Sequence, residues 1–252
     1  MLKDESSKRP AIVLIPGLDG TALLFYRQIP LLEKRFQVLT FPLPDDSSST
    51  MESLVSQLLE LVRESTNGGP GRVFLCGESF GGALSLSFAL SHPEWLAGTV
   101  IVNSFPVIRQ RIRLRLAPPL LKALPWGTMR LVRRFTEARL HSPHARPEDL
   151  REFHQRTRAI GRRGYIRRLE IIQKYNIEDC LGDIQTPTLF LAGDRDHLVP
   201  SLKEAHLMAS RMPHATVDTL RGYGHICLIN HDLNLLDYID PWLARIADGV
   251  PS

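Results

Sequence analysis

The sequence has few cysteines, no long apolar run and no repeated or low-complexity segment. Its three cysteines, Cys76, Cys180 and Cys227, lie far apart and show no Cys-x-x-Cys spacing. An odd number excludes a complete disulfide framework, and reduced thiols are expected. Cys76 closes an apolar run and reads as a small core residue rather than a nucleophile. No cluster of His, Cys and carboxylate has the spacing of a structural zinc site, so neither a metal nor a cofactor is expected. The longest apolar runs, such as Ala11–Ile15, fall far short of the ~20 residues that a membrane-spanning helix needs. Met1 to Pro10 is polar and lacks the apolar stretch of a secretory signal, which makes a cytoplasmic location the expectation.

What is present is an ordinary globular composition. With 43% hydrophobic and 23% charged residues in 252, the chain can bury a core of one α/β domain carrying an insertion. The net charge of +4 conceals an asymmetry. From Phe105 to Gln185 there are 18 Lys/Arg against 8 Asp/Glu, a balance of +10, and the rest of the chain carries −6.

Short β-branched and apolar runs alternate with helix-length segments, the pattern of a parallel sheet covered by helices on both faces. The runs predict six strands: Ala11–Ile15, Phe36–Phe41, Arg72–Cys76, Thr99–Asn103, Thr188–Ala192 and Thr216–Leu220. Helices are predicted at Met51–Glu64, Phe80–Ser91, Leu202–Met212 and Ile226–Ala247, the last broken or kinked by Pro241. Pro42 to Ser49 and Asn67 to Gly71 read as loops. Between Asn103 and Thr188 lie 84 residues, far more than a single crossover requires. The expected organisation is therefore a core of residues 1–104 and 186–252 with a helical cap, 105–185, inserted in it. Pro118, Pro119, Pro125, Pro143 and Pro147 divide the cap into several helical pieces, and Pro147-Glu148-Asp149 signals a helix start.

Gly77-Glu78-Ser79-Phe80-Gly81 is a Gly-x-Ser-x-Gly match that follows a predicted strand and precedes a predicted helix, the setting of a nucleophile elbow. A serine is a weak nucleophile without a base, so a later histidine is required. Of nine histidines, His225 stands out. It lies in the flexible Gly222-Tyr223-Gly224-His225 loop after the last strand, at the carboxyl edge of the sheet. His231 is the rival, placed within the terminal helix. The base needs an anionic partner, and the Gly193–Pro200 loop offers Asp194 and Asp196. Asp194 directly follows Gly193 and can serve as a turn former, so Asp196 is preferred.

The order Ser79, Asp196, His225, on the elbow, the Gly193–Asp196 loop and the Gly224-His225 pair, resembles the α/β-hydrolase superfamily over nearly the whole chain. The resemblance implies that the backbone N–H groups of Leu18 and Phe80 form an oxyanion hole. In the Ile15-Pro16-Gly17-Leu18-Asp19-Gly20 segment, proline stands where the superfamily usually has histidine. That segment and Gly-Glu-Ser-Phe-Gly also resemble a subgroup containing plant phytyl-ester synthases and uncharacterised bacterial hydrolases. The superfamily commonly opens with two further strands. Only ten residues precede Ala11, so a trimmed sheet of six strands is expected. Asp19 reads as a turn former, with a charge that disfavours anionic acyl groups as its alternative.

The function implied is hydrolysis of carboxylic esters of small molecules by a Ser-His-Asp triad through an acyl-enzyme. The alternative is an acyltransferase or thioesterase acting on lipid or carrier-linked acyl groups; a minor one is a non-catalytic ligand-binding member of the fold. No nucleic-acid motif accompanies the basic cap. Its arginines, from Arg109 to Arg115 and Arg130 to Arg134, read as solvated helix faces, with an anionic lipid surface or an acidic acyl-carrier protein as the sharper alternatives.

Overall fold

The computed structural model describes residues 9–66, 73–109, 111–123, 125, 127 and 140–248, of which residues 111–116 and 159 are described by their backbone. The predicted loop 67–71, the start of the third predicted strand at Arg72, and Arg130, Arg133 and Arg134 lie outside the described residues.

The described residues form one sheet of six parallel strands: β1 (Ala11–Ile15), β2 (Gln37–Thr40), β3 (Val73–Glu78), β4 (Leu96–Val102), β5 (Thr188–Gly193) and β6 (Ala215–Leu220). Their spatial order is β2-β1-β3-β4-β5-β6. Helices α1 (Ile29–Leu32), α2 (Met51–Ser65), α3 (Phe80–Ser91), α4 (Arg111–Ala123), α5 (Pro147–Arg156), α6 (Arg162–Lys174), α7 (Ser201–Ala209) and α8 (Leu236–Ala247) connect and cover it, with α4 to α6 lying between β4 and β5. Among the described residues no helix is long and apolar enough to cross a membrane.

The strands are apolar in nearly every position because both faces are covered. Alternate side chains go to opposite cores, as the two-residue period of a strand dictates. Ala11, Val13, Ile15, Val73 and Leu75 join a core with α2, α3 and α6. Ile12, Leu14, Phe74, Cys76, Val100 and Val102 join a second core, whose far side is closed by Ile239 and Trp242 of α8. Helix α2 begins with a reciprocal cap, Thr50 Oγ1 accepting from Ser53 N at 3.1 Å and Ser53 Oγ from Thr50 N at 2.8 Å. It buries one stripe, Leu54, Val55, Leu58, Leu59 and Val62. Helix α3 is buried almost all round, so it is apolar on every side rather than amphipathic.

Several boundaries differ from the sequence expectations. Strand β3 runs two residues past Cys76, to Glu78, and β4 starts three residues early, at Leu96. The terminal helix begins at Leu236 rather than Ile226; Ile226 forms a bridge with His141, and turns and irregular backbone follow as far as Leu235. Pro241 does not break it. Both Pro241 and Asp237, whose carbonyl loses its i+4 donor, are exposed, so water can take the missing bond. Pro118 and Pro119 likewise lie inside α4 instead of dividing it, whereas Pro147 does occupy the first turn of α5.

Between β4 and β5, many of the described arginines meet acids of the chain itself. Arg109 lies 2.8 Å from Glu178 and 3.2 Å from Glu204. Arg156 lies 2.9 Å from Glu152, and Arg167 lies 3.1 Å from Glu170.

Candidate active site

The elbow is a single strained residue between β3 and α3. Ser79 has φ 53° and ψ −111°, an unusual backbone for a residue with a side chain. Its main chain is held from both sides: Ser79 N–H donates to Val102 O at 2.9 Å, and Ser104 Oγ donates to Ser79 O at 2.7 Å. The turn leaves no room beside β1. A Cβ on Gly81 would lie 2.1 Å from the Ile15 carbonyl oxygen, which accounts for the second glycine of the motif.

His225 is almost fully buried, and its Nε2 lies 3.0 Å from Ser79 Oγ. Its Nδ1 lies 2.7 Å from Asp196 Oδ2. The structure thus brings Ser79, His225 and Asp196 into one hydrogen-bonded line. Asp196 also accepts from Leu198 N at 2.9 Å and Val199 N at 3.0 Å, and from Ser201 Oγ. Burial pushes the Asp196 carboxyl up, but the charge of His225 and these donors outweigh it and hold the group below the usual carboxylate range. Burial pulls His225 down, but the charges of Asp196 and Glu78 outweigh it and raise the imidazole above its ordinary value.

The rivals are elsewhere. Asp194 is exposed and accepts from Gly222 N at 2.7 Å, tying a turn. His231 is not in a helix; it stands in a turn with Nδ1 3.4 Å from Asp149 Oδ2. Asp19 Oδ2 accepts from Thr21 N at 2.9 Å and Thr21 Oγ1 at 2.7 Å, the local capping that Asp-Gly turns favour. Gly20 N–H closes that turn on Gly17 O at 3.1 Å. A trans peptide directs its C=O and N–H oppositely, so the Leu18 N–H faces away from this bond. Phe80 opens α3, where the first N–H groups have no partner within the helix.

Ser79 and His225 line a cavity of about 110 Å³. Gly17, Leu18 and Asp19 form one side, and Leu140, Phe153, Thr157, Ile160 and Tyr165 come from the segment between β4 and β5. Among the described residues, no group of three or more His, Cys, Asp or Glu is gathered as for a metal ion.

Two residues of the site escape a reading of the sequence. Glu78 is buried and lines the cavity. Burial first, then the charge of Asp19, push its carboxyl up to about 7, although it accepts a main-chain hydrogen bond from Gly17. Asn103 follows β4 and ties β5 to the histidine loop: Gly193 N–H donates to its Oδ1 at 2.8 Å, and its Nδ2 donates to Gly224 O at 3.0 Å. The signal for Asn103 was a lone amide ending an apolar strand. The signal for Glu78 was a carboxylate inside the motif itself.

A chain with this sheet order and this site is at home among the hydrolases of the α/β class. It belongs to the Alpha/beta hydrolase family, whose sequence profile matches residues 12–235. It is 26% identical to the "Putative carbamate hydrolase RutD" of Serratia proteamaculans, covering 97% of this chain and 95% of the relative. It is likewise 26% identical to a pimeloyl-acyl-carrier-protein methyl ester esterase of Xanthomonas oryzae, covering 96% of each chain. A thermophilic esterase from Thermogutta terrifontis shares the fold, with a TM-score of 0.79 at 21% identity over 94% of this chain and 90% of the other.

Proposed function

We propose that the protein hydrolyses carboxylic esters with small, uncharged acyl groups through an acyl-enzyme on Ser79. The observation that carries this reading is the line from Ser79 Oγ to His225 Nε2, 3.0 Å, and from His225 Nδ1 to Asp196, 2.7 Å. Both spacings suit proton transfer through an oriented base.

Ser79 Oγ attacks the ester carbonyl carbon as its proton passes to His225 Nε2. Asp196 steadies the imidazolium, and the oxyanion takes hydrogen bonds from the N–H groups of Leu18 and Phe80. Collapse expels the alcohol, protonated by His225. A water that gives its proton to His225 then attacks the acyl-enzyme, and the acid leaves as Ser79 is reprotonated.

The cavity supports the small acyl group, since 110 Å³ is well below the ~300 Å³ at which pockets for drug-sized ligands begin. Asp19 and Glu78 on its wall support an uncharged one. The relatives named for carbamate and methyl ester hydrolysis act on carbonyl carbons bearing a heteroatom leaving group, which agrees with the same chemistry. The five cavity residues between Leu140 and Tyr165 support residues 105–185 as a cap over a core of 1–104 and 186–252.

A panel of p-nitrophenyl esters from acetate to palmitate tests the reading. Turnover is expected to be highest for acetate to butyrate and absent in Ser79→Ala. A folded Ser79→Ala protein with wild-type turnover would overturn it.

A further inference from the structure

Arg168 lies on α6, within the segment between β4 and β5, and is 4% exposed. Its guanidinium reaches back to the opposite end of the chain. Nε donates to Leu18 O at 3.0 Å, one terminal nitrogen donates to Asp19 O at 3.3 Å, and the other donates to Pro44 O at 3.0 Å. Among the described residues no carboxylate makes an ion pair with it, although the charges of Asp19 and Asp45 lie near enough to favour its cationic form.

Burying a guanidinium is costly unless its donors are met. Here three are met by main-chain carbonyls, two of which belong to the turn beside the nucleophile. The packing is tight as well. Gly20 has φ +72°, and a Cβ there would lie 2.6 Å from the Arg168 guanidinium carbon.

The geometry points to Arg168 as a positioning residue that clamps the Gly17–Gly20 turn and so fixes the direction of the Leu18 N–H. The inference rests on the proposed role of that N–H as an oxyanion donor. Both peptides flanking Leu18 are tied. The Gly17–Leu18 peptide is held through Gly17 O by Gly20 N–H at 3.1 Å, and the Leu18–Asp19 peptide through Leu18 O by Arg168. A loop between two such ties has one orientation to offer, which is what a preorganised donor requires. The clamp comes from the helix that also supplies Tyr165 to the cavity, so oxyanion donor and pocket wall move as one unit. A lysine cannot replace it in full, because one ammonium does not span three carbonyls as the planar fork does.

Arg168→Lys and Arg168→Met test the clamp. Each variant is titrated with a fluorophosphonate, so that rates refer to sites with a reactive Ser79. Steady-state hydrolysis of p-nitrophenyl acetate then gives kcat and KM per intact site. Inhibition by a small trifluoromethyl ketone, whose adduct places an oxyanion on the donors, is compared with inhibition by the matching secondary alcohol, which only fills the cavity.

In Arg168→Met, kcat per site is expected to fall by about 30- to 100-fold with KM within about threefold, since a displaced donor costs on the order of a hundredfold. Affinity for the ketone should fall in step while that for the alcohol stays. Arg168→Lys should lie between, and it decides the matter where Arg168→Met does not fold. Wild-type kcat and ketone affinity in the folded variant would overturn the clamp alone. So would an equal loss of ketone and alcohol binding, the mark of a merely structural role. A wild-type protein without Ser79-dependent turnover would instead sink the esterase reading, and this inference with it.

Discussion

The Asn103 side chain donates a hydrogen bond to the main-chain carbonyl of His225 at 2.8 Å, so the end of β4 holds the backbone of the candidate base. Asn103 has φ 48°, a conformation that asparagine tolerates better than most residues. Replacing it with leucine keeps the volume but strands Gly193 N–H and the carbonyls of Gly224 and His225 in a buried site. At about 1–3 kcal/mol for each unsatisfied group, partly relieved by relaxation, Asn103→Leu should lose about 3 kcal/mol of stability. Its kcat should also fall by more than tenfold, because the imidazole is no longer fixed to within a fraction of an ångström. Urea unfolding and steady-state kinetics check both; a destabilised variant with full kcat would show that the His225 loop holds itself.

Asp196 and Asp194 should separate sharply. Asp196 orients His225 and also gathers Leu198 N, Val199 N and Ser201 Oγ, so Asp196→Asn perturbs both the tautomer of the base and its own loop. A loss in kcat of about 10³- to 10⁴-fold is expected, by analogy with the triad of other serine hydrolases. Asp194→Asn removes only a charge from an exposed turn and should change kcat by less than about threefold. Equal losses in the two variants would reassign the partner.

The pH profile should report Glu78. The base must be neutral to act, so kcat/KM rises with pH through the raised pKa of His225. Two carboxylates raise it, Asp196 by contact and Glu78 by charge, while Asp19 acts on Glu78 in turn. Removing the Glu78 charge takes away one of the raising influences, so the acid limb of Glu78→Gln should move to lower pH. The measurable consequence is a higher ratio of activity at pH 6 to activity at pH 8 than in the wild type. A limb that stays in place would mean that Glu78 is uncharged across this range, and one that moves up would refute its raising influence on His225. Because the two groups interact, the observed steps belong to the pair rather than to either residue.

What the sequence disclosed about this molecule is what local signals can carry. The apolar runs gave the six strands, and the strand–turn–helix setting singled out Ser79. The Gly-rich loop singled out His225 over His231, and the adjacent turn former separated Asp194 from Asp196. Asn103, Glu78 and Arg168 stayed hidden because their partners are remote: Asn103 meets a carbonyl 122 positions away and Arg168 one 150 positions away. No spacing in a sequence encodes such a contact. Pro241 misled for a different reason. Its cost in a helix depends on whether water reaches the abandoned carbonyl of Asp237, which is a property of the folded surface.

Acid should weaken the contact between the β4–β5 segment and the histidine loop, and His141 is the reason. Ile226 N–H donates to Leu140 O at 2.7 Å, Gly224 N–H donates to Ser142 Oγ at 3.1 Å, and His141 sits between these two ties. His141 is 6% exposed, neither ring nitrogen has a hydrogen-bond partner among the described residues, and its ring stands edge-on to Phe153 with centroids 4.5 Å apart. Burial first, then the nearby His154, lower its pKa to about 4 from an ordinary 6.5, against a weaker raising influence of Asp149. A depressed histidine pKa means that the unfolded chain binds the proton more readily. The stabilising contribution of neutral His141 is therefore complete above pH 6.5 and is lost as pH falls toward 4. At 1.36 kcal/mol per pH unit, the loss is about 3 kcal/mol. His141→Leu removes the titrating group, keeps an apolar contact with Phe153 and leaves no orphaned nitrogen. Thermal melting from pH 7.5 to pH 4.5 should thus show a smaller fall for the variant than for the wild type, with the variant the more stable of the two at pH 5. Parallel curves for the two proteins would place the acid sensitivity in other groups.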